Sequence, residues 1–480
     1  MSRAVGIDLG TSNSAAAVLD SDGRPRILTS SDGGTVTPSL VWYADEGVVV
    51  GERAAAGLEE QPEATIVAVK RLLGRAWGQA DVRLLAAALP YTLVPASNGD
   101  VAIALDHVQR KSPQEVAAEI LFSLRQSAQQ ALGEQVEQAV LTVPAWYDAA
   151  QRAATKDAAA IAGFTVKRLL SEPVAAVLGY GAHLGRNGCY VVCDFGGGTF
   201  DVAVVDVRDG VFEVQATAGD SLLGGDDVDR MIATHWVREI KSQSGVDLSL
   251  DAAALDRLRL AARAAKHRLS DEPIADIWLP RLAKLPSGKP VEFTRQLRRD
   301  VLELWSSPLL RRMIAPCERA MQQAGKLPAQ VDDVLLVGGM TRMPEVKRQL
   351  ARWFGREPVS VANPDEIVAV GAAIEVARLT GHIEGVHVLD TCSTGVSISL
   401  GRGACTPVIT AGTPLPFRET RVMTTEHDNQ PRLEFDLWEG LDADPAHNRH
   451  VGRYIATDLP EAPAGDVLVA IEVTIDVDGG

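Results

Sequence analysis

The chain reads as a mixed α/β protein that ends in a β-rich region. Strand-like apolar runs alternate with helix-like patterns through most of the sequence, which indicates an α/β domain. Two short stretches nearly repeat each other: Gly6-Ile7-Asp8-Leu9-Gly10-Thr11-Ser12-Asn13-Ser14 and Val192-Cys193-Asp194-Phe195-Gly196-Gly197-Gly198-Thr199-Phe200-Asp201. After about residue 385 the helical periodicity stops, and short β-like runs separated by Gly, Pro and Asn turns take over.

In chain order, Val5 to Leu9 and Ser14 to Leu19 read as a hairpin, and Thr37 to Tyr43 as a further strand. Ser112-Pro113-Gln114-Glu115 opens a helix, with Ser at the cap, Pro in the first turn and Glu at the third position. Ala139 to Val143 is a buried strand stopped by Pro144. Residues 148–163 form a helix ended by Gly163, and another starts at Ser171-Glu172-Pro173. Strands fill about 190–218, helices follow from about 226, and Val334 to Val337 is a strand running into Gly338-Gly339. In the tail, Val396–Leu400, Leu433–Leu437 and Val467–Ile475 read as strands of a β-sandwich-like module, and Gly381 to Asp390 is a candidate linker.

A length of 480 residues suggests roughly two to four domains. The chain is 46% hydrophobic and 23% charged, ordinary for a globular protein. A net charge of −16 argues against nucleic-acid binding, which needs a basic surface. Cys189, Cys193, Cys317, Cys392 and Cys405 form no CxxC pair, so reduced thiols are expected, with Cys193 a small core residue. Met1 to Gly6 lacks a signal-peptide pattern, and no apolar stretch is long enough to span a bilayer. The expectation is a cytoplasmic protein without a membrane partner.

Each repeated stretch is an apolar run ending in Asp, then a glycine-bearing turn with Thr. Such a tip can wrap a phosphate in backbone N–H donors. Asp8 and Asp194 are the ligand type that a phosphate-bound Mg²⁺ takes. One such Asp is commonly a plain turn residue; two in matching contexts point to a nucleotide polyphosphate clamped between similar halves. Thr11, Ser12, Asn13, Gly197, Gly198 and Thr199 would supply the donors. Gly338-Gly339-Met340-Thr341-Arg342 reads equally as a strand-to-helix turn or as a surface for a nucleoside, with Arg342 stacking on the base. Lys70, Asp226 and Asp227 are ambiguous by pattern alone. His447 and His450 are taken as loop histidines.

With these residues in view, the chain resembles the seventy-kilodalton heat-shock chaperones of DnaK type. The stretches that carry the resemblance are Gly6–Ser14, Leu141-Thr142-Val143-Pro144-Ala145, Gln151–Ala158, Asp194–Val202, Val337–Pro344 and Asn363-Pro364-Asp365-Glu366. The resemblance implies a two-lobed actin-like ATPase domain over 1–382, a linker over 383–391 and a peptide-binding β-domain over 392–480. It implies ATP/ADP and Mg²⁺ as cofactors, with Asp8 and Asp194 holding the metal through water. Lys70 matches the lysine that positions the attacking water, and Glu172 and Thr199 match polar groups around that water. Gly10, Gly196, Met340, Asp365, Lys266 and Ser270 join the nucleotide-binding set. Pro144 and Arg152 match a pair that relays nucleotide state between domains.

The function implied is an ATP-dependent chaperone for unfolded or extended polypeptide, with a J-domain co-chaperone and a nucleotide exchange factor as partners. The alternative is a nucleotide-switched adaptor for one dedicated protein partner. A small-molecule kinase of the same superfold is disfavoured by the β-module and the family motifs. Arg263 stands where the family has a ribose-binding Glu, and His267 where it often has a base-stacking Arg. His387 interrupts the apolar linker series, so linker docking is expected to be weaker or sensitive to pH. Asp428-Asn429-Gln430-Pro431 and Gly440 are family-like. The β-domain is expected to be shortened and without a helical lid, with Gly401 or Ala404 where a bulky apolar residue covers the groove.

Overall fold

A computed structural model describes residues 3–479, apart from 21, 31, 87–88, 107–108, 182–186, 250, 285–287, 362, 393 and 402. Met1 and Ser2, ahead of the first strand, lie outside the described residues. The architecture is mixed α/β with several sheets.

The first sheet contains β1 (Arg3–Asp8), β2 (Asn13–Leu19), β3 (Pro25–Ile27), β4 (Val136–Val143) and β5 (Thr165–Ser171) in the order β5-β4-β1-β2-β3. β1, β2 and β3 form an antiparallel meander, while β4 lies parallel to β1 and β5 parallel to β4. The second sheet contains β6 (Gly188–Phe195), β7 (Phe200–Arg208), β8 (Val211–Asp220), β9 (Asp333–Val337), β10 (Val359–Ser360) and β11 (His387–Leu389) in the order β10-β9-β6-β7-β8-β11. Its connectivity repeats the first: an antiparallel β6-β7-β8 meander, with β9 parallel to β6 and β10 parallel to β9. The short repeats seen in the sequence are thus the tips of two equivalent hairpins, β1–β2 and β6–β7.

Side-chain caps mark the starts of several helices. Ser112 and Glu115 make a reciprocal capping box at the start of α1 (Pro113–Leu132), with Glu115 N–H to Ser112 Oγ at 3.2 Å and Ser112 N–H to Glu115 Oε2 at 2.8 Å. Asp148 and Gln151 do the same for α2 (Ala149–Ile161), which gives way to Gly163 at φ +82°, a conformation that suits glycine. α3 (Glu172–Gly181) lies against a further helix, Ile367–Leu379, and both are buried and rich in Ala and Gly along most of their length. Their small residues let the backbones approach closely, and α3 thereby presents Glu172 at its N-terminus to the space between the sheets.

The C-terminal region is β-rich, as expected, with one four-stranded sheet and one two-stranded ribbon. Val396–Leu400, Leu433–Glu439 and Leu468–Ile475 are strands. Two expectations need correction, and a third gains detail. Thr37 to Tyr43 is two short strands, Thr37–Pro38 and Val41–Ala44, because Ser39 and Leu40 turn inward toward the first hairpin. His450 lies on the strand Arg449–Ala456, with Nε2 2.8 Å from Asp436 Oδ1, and is no loop residue. The candidate linker contains a strand: β11 extends the second sheet beside β8, with Val388 buried and His387 exposed.

A Cβ on Gly371 would fall 1.7 Å from the Ala175 carbonyl oxygen. Gly371→Ala is therefore expected to destabilise the protein by about 1–3 kcal/mol through overpacking, although Ala is the better helix former by about 1 kcal/mol. Urea denaturation checks this; a gain in stability would mean that the two helices have room to separate.

Candidate functional site

The two hairpin tips face each other. A Cβ on Gly197 would lie 1.9 Å from Ser12 Oγ, and one on Gly198 would lie 2.6 Å from Thr11 Cγ2. Glycine is needed at both positions for the tips to come this close. Each tip is pinned from behind. Gly10 N–H donates to Ser14 Oγ at 3.2 Å, Ser39 Oγ–H donates to the Gly10 carbonyl at 2.8 Å, and the two serine hydroxyls lie 2.9 Å apart. In the second tip, Gly196 N–H donates to the Thr199 carbonyl at 3.0 Å. The next helix, α4 (Gly225–Ser244), is hydrogen-bonded to that tip, with Asp226 N–H to the Gly197 carbonyl at 2.8 Å.

A cleft of about 450 Å³ opens beside the tips. Every residue predicted for the site lines it except Gly198 and Arg342. Asp8, Gly10, Thr11, Ser12 and Asn13 come from the first tip, and Asp194, Gly196, Gly197 and Thr199 from the second. Lys70 arrives on the turn Val69–Leu72 and donates to Glu172 Oε1 in a direct, buried ion pair. Tyr147 Oη–H holds the Lys70 carbonyl at 2.8 Å. Gly338, at φ +81°, leaves no room for a side chain: a Cβ there would lie 2.6 Å from Asp194 Oδ1.

The opposite wall is α5 (Ala252–Asp271). Lys266 Nζ donates to the Gly225 carbonyl at 2.9 Å and pairs with Asp229 at 2.7 Å. Ser270 lines the cleft one turn on. Arg263 is held by Asp226 at 2.7 Å and Asp229 at 3.5 Å. Burial, with Lys266 and Arg263 nearby, pushes the His267 imidazole down to about 4, so it is neutral at pH 7. Arg342 pairs with Asp365 at 2.8 Å, and Asp365 is the member of that pair that reaches the cleft. Asp226 and Asp227, left open by the sequence, occupy the first turn of α4, where they anchor Arg263 and Arg71.

Negative charge dominates the floor. Burial raises the Asp8 carboxyl above its ordinary range, against the pull of Lys70 and of the Thr142 hydroxyl at 2.8 Å. Burial, then Glu172, Asp201 and Asp8, push Asp194 well above its ordinary value. Burial raises Glu172 despite Lys70, while Lys70 is itself raised, because Glu172 and Asp8 together outweigh its own desolvation. These directions agree physically: a surplus of carboxylates favours the ammonium and disfavours every further negative charge.

Hard oxygen donors with surplus negative charge suit Mg²⁺. Among the described residues, no three His, Cys, Asp or Glu side chains converge to chelate an ion by themselves. A cation held here by Asp8 and Asp194 would keep waters or take phosphate oxygens in its remaining positions.

Three residues that support the site were missed in the sequence. Ser39, Thr142 and Arg71 sit in segments that carry no glycine-rich signal, and their partners lie 25 or more positions away. The proline–arginine pair opens onto a separate contact. Arg152 Nη1 donates to the Asp478 carbonyl at 3.0 Å, Lys156 pairs with the Asp478 carboxylate at 2.6 Å, and Leu169 N–H donates to that carboxylate at 2.9 Å. Glu439 accepts the Ala149 N–H at 3.3 Å, and Arg449 lies 3.5 Å from Asp148. The C-terminal β-region is thus seated on α2 and β5. No described helix is long and apolar enough to cross a membrane.

A family model described as Hsp70 protein matches residues 4–480, nearly the whole chain. The chain belongs to the Hsp70 family. Members of that family are in general chaperones and ATPases that bind ATP or ADP with Mg²⁺.

Asp201 yields a test of the electrostatics. It is fully buried, and burial, then Glu172, push its carboxyl up to about 8. Its unfolded value is about 3.9, so between these values the folded protein holds the extra proton. Stability should therefore fall as pH rises from about 4 to about 8. Asp201→Asn should remove up to about 1.4 kcal/mol of loss per pH unit in that window. Denaturant midpoints at pH 5 and pH 7.5, without nucleotide, check it; equal slopes for the two proteins would contradict it.

Proposed function

We propose that this Hsp70-family chain binds ATP with Mg²⁺ across the cleft, hydrolyses it slowly, and uses nucleotide state to govern how its C-terminal β-region engages unfolded or extended polypeptide. The observation that carries this reading is the meeting of two equivalent hairpin tips over the Lys70–Glu172 pair, flanked by Asp8 and Asp194. The matching connectivity of the two sheets supports a two-lobed, actin-like nucleotide-binding domain over residues 1–382. Residues 383–391 are read as the linker and 392–480 as the peptide-binding β-domain. A J-domain co-chaperone and a nucleotide exchange factor are the partners that fit this reading.

The tips would bind phosphates through the backbone N–H groups of residues 10–13 and 196–199. Asp8 and Asp194 would hold the Mg²⁺, which neutralises phosphate charge when bound. Lys70 is kept protonated by its carboxylate neighbours. It orients the attacking water and offsets charge on the transferred group, while Glu172 fixes the ammonium in place. Thr199 presents a hydroxyl to the same space, tied to Asp201 at 3.2 Å. Catalysis of this kind is positioning plus electrostatics. The nucleoside would lie between Gly338-Gly339-Met340 and α5, where Arg263 and neutral His267 replace the groups usual in the family.

Single-turnover hydrolysis of ATP with Mg²⁺ tests the reading. A rate near one per minute corresponds to a barrier of about 20 kcal/mol. Lys70→Ala should slow it about a hundredfold while calorimetric ATP binding persists. An unchanged rate would remove Lys70 from the chemistry, and hydrolysis that requires a small-molecule acceptor would indicate a kinase instead.

β11 offers a test of coupling. Val388 is buried beside β8 and Leu389 is 40% exposed. A ligand shifts a two-state protein only by its differential affinity for the two states. ATP and ADP should therefore differ in how they protect residues 386–390 from limited proteolysis, and Val388→Asp with Leu389→Asp should erase the difference without abolishing ATP binding. Identical cleavage in both nucleotides would disconnect this segment from the cleft.

A further inference from the structure

Arg71 follows Lys70 on the same turn and lies at the edge of the cleft, lining small pockets with Thr11, Thr199 and Asp226 rather than the main cavity. It is 8% exposed. Its Nη2 donates to the carbonyl of Gly198 in the second hairpin tip, and the same nitrogen lies 3.2 Å from Asp227 Oδ2 at the start of α4. Asp227 Oδ2 also accepts the Gly224 N–H at 2.8 Å, so the carboxylate is fixed before the arginine arrives. The Arg71 Nε makes no hydrogen bond, which leaves the guanidinium's anchorage to these two acceptors. A Cβ on Gly198 would lie 2.8 Å from that Nε.

One side chain from the segment that carries Lys70 therefore reaches two elements of the second sheet's unit, and it does so behind the tips. A nucleotide gripped by both tips leaves only when the tips part. Parting them separates Arg71 from Gly198 and Asp227. Hydrogen bonds between charged groups are stronger than neutral ones, and here a single guanidinium nitrogen reaches both the carboxylate and the carbonyl.

We infer that Arg71 is a latch: a positioning residue that sets how fast nucleotide leaves the cleft without touching the reacting atoms. This rests on the nucleotide reading above.

The test is stopped-flow release of the fluorescent probe N-methylanthraniloyl-ADP, chased with excess ADP in the presence of Mg²⁺. Wild type is compared with Arg71→Met, Arg71→Lys, Asp227→Asn and the double variant Arg71→Met with Asp227→Asn. Arg71→Met and Asp227→Asn should each speed release tenfold or more. The double variant should be no faster than Arg71→Met, since Asp227→Asn removes one of the two contacts that Arg71→Met already removes. Arg71→Lys, which keeps the charge but has a shorter reach, should fall between wild type and Arg71→Met. Hydrogen exchange at residues 196–199 in the nucleotide-free protein should rise in the same order, a readout that stands if Arg71→Met folds poorly and only the Lys and Asn variants are usable. Release within twofold of wild type, or single effects that multiply in the double variant, overturns the latch while leaving nucleotide binding intact. Failure of the wild-type protein to bind the probe overturns the nucleotide reading and the latch with it.

Discussion

Three carboxylates and one ammonium line the floor of the cleft, a fourth carboxylate, Asp201, is buried close by, and the surrounding structure answers to that imbalance. Asp8 ends β1, Asp194 closes β6, Asp201 begins β7 beyond the second tip, Glu172 opens α3, and Lys70 arrives on a separate turn. No local segment could gather them. Their assembly costs free energy, because each carboxylate raises the cost of ionising the next. Lys70 offsets only part of this charge. Under the proposed function, a hard cation would draw the raised Asp8 and Asp194 carboxyls back to their ionised forms.

Close backbone approach is the second constraint, and it explains why small residues recur where they do. Gly197 and Gly198 let the tips meet, Gly338 lets its loop pass Asp194, and Gly371 lets two buried helices touch. Gly6 serves β1 in the same way, since a Cβ there would lie 2.1 Å from the Ala373 nitrogen. The helix Ile367–Leu379 thus locks onto both β1 and α3, and so fixes Asp8 relative to Glu172. Packing at these contacts sets the spacing of the carboxylates as directly as the carboxylates' own side chains do.

The sequence exposed much of this because the decisive signals are local. A strand ending in Asp before a glycine turn is visible in a few residues, and its recurrence marks two equivalent hairpins. Capping residues at Ser112 and Asp148 announce their helices equally well. What escaped is non-local. Ser39 and Thr142 look like ordinary polar residues until folding brings them to Gly10 and Asp8. Arg71 looks like a solvated neighbour of Lys70 until Asp227 and Gly198 are placed opposite it. Thr37 to Tyr43 carries enough β propensity for one strand, yet the demand of Ser39 for Gly10 breaks it in two. Arg342 stands outside the cleft lining and pairs with Asp365, which does reach it, a partnership 23 positions apart that no local pattern signals.

The central claim is that Asp8 and Asp194 create a cation requirement that nucleotide binding satisfies. Calorimetric titration of ADP into the wild-type protein and into Asp194→Asn, each with Mg²⁺ and with EDTA, measures that coupling directly. The account predicts that Mg²⁺ strengthens ADP binding at least tenfold in the wild type and that this advantage largely disappears in Asp194→Asn. Equal ADP affinity with and without Mg²⁺ in the wild type, or an undiminished Mg²⁺ advantage in the variant, would contradict it.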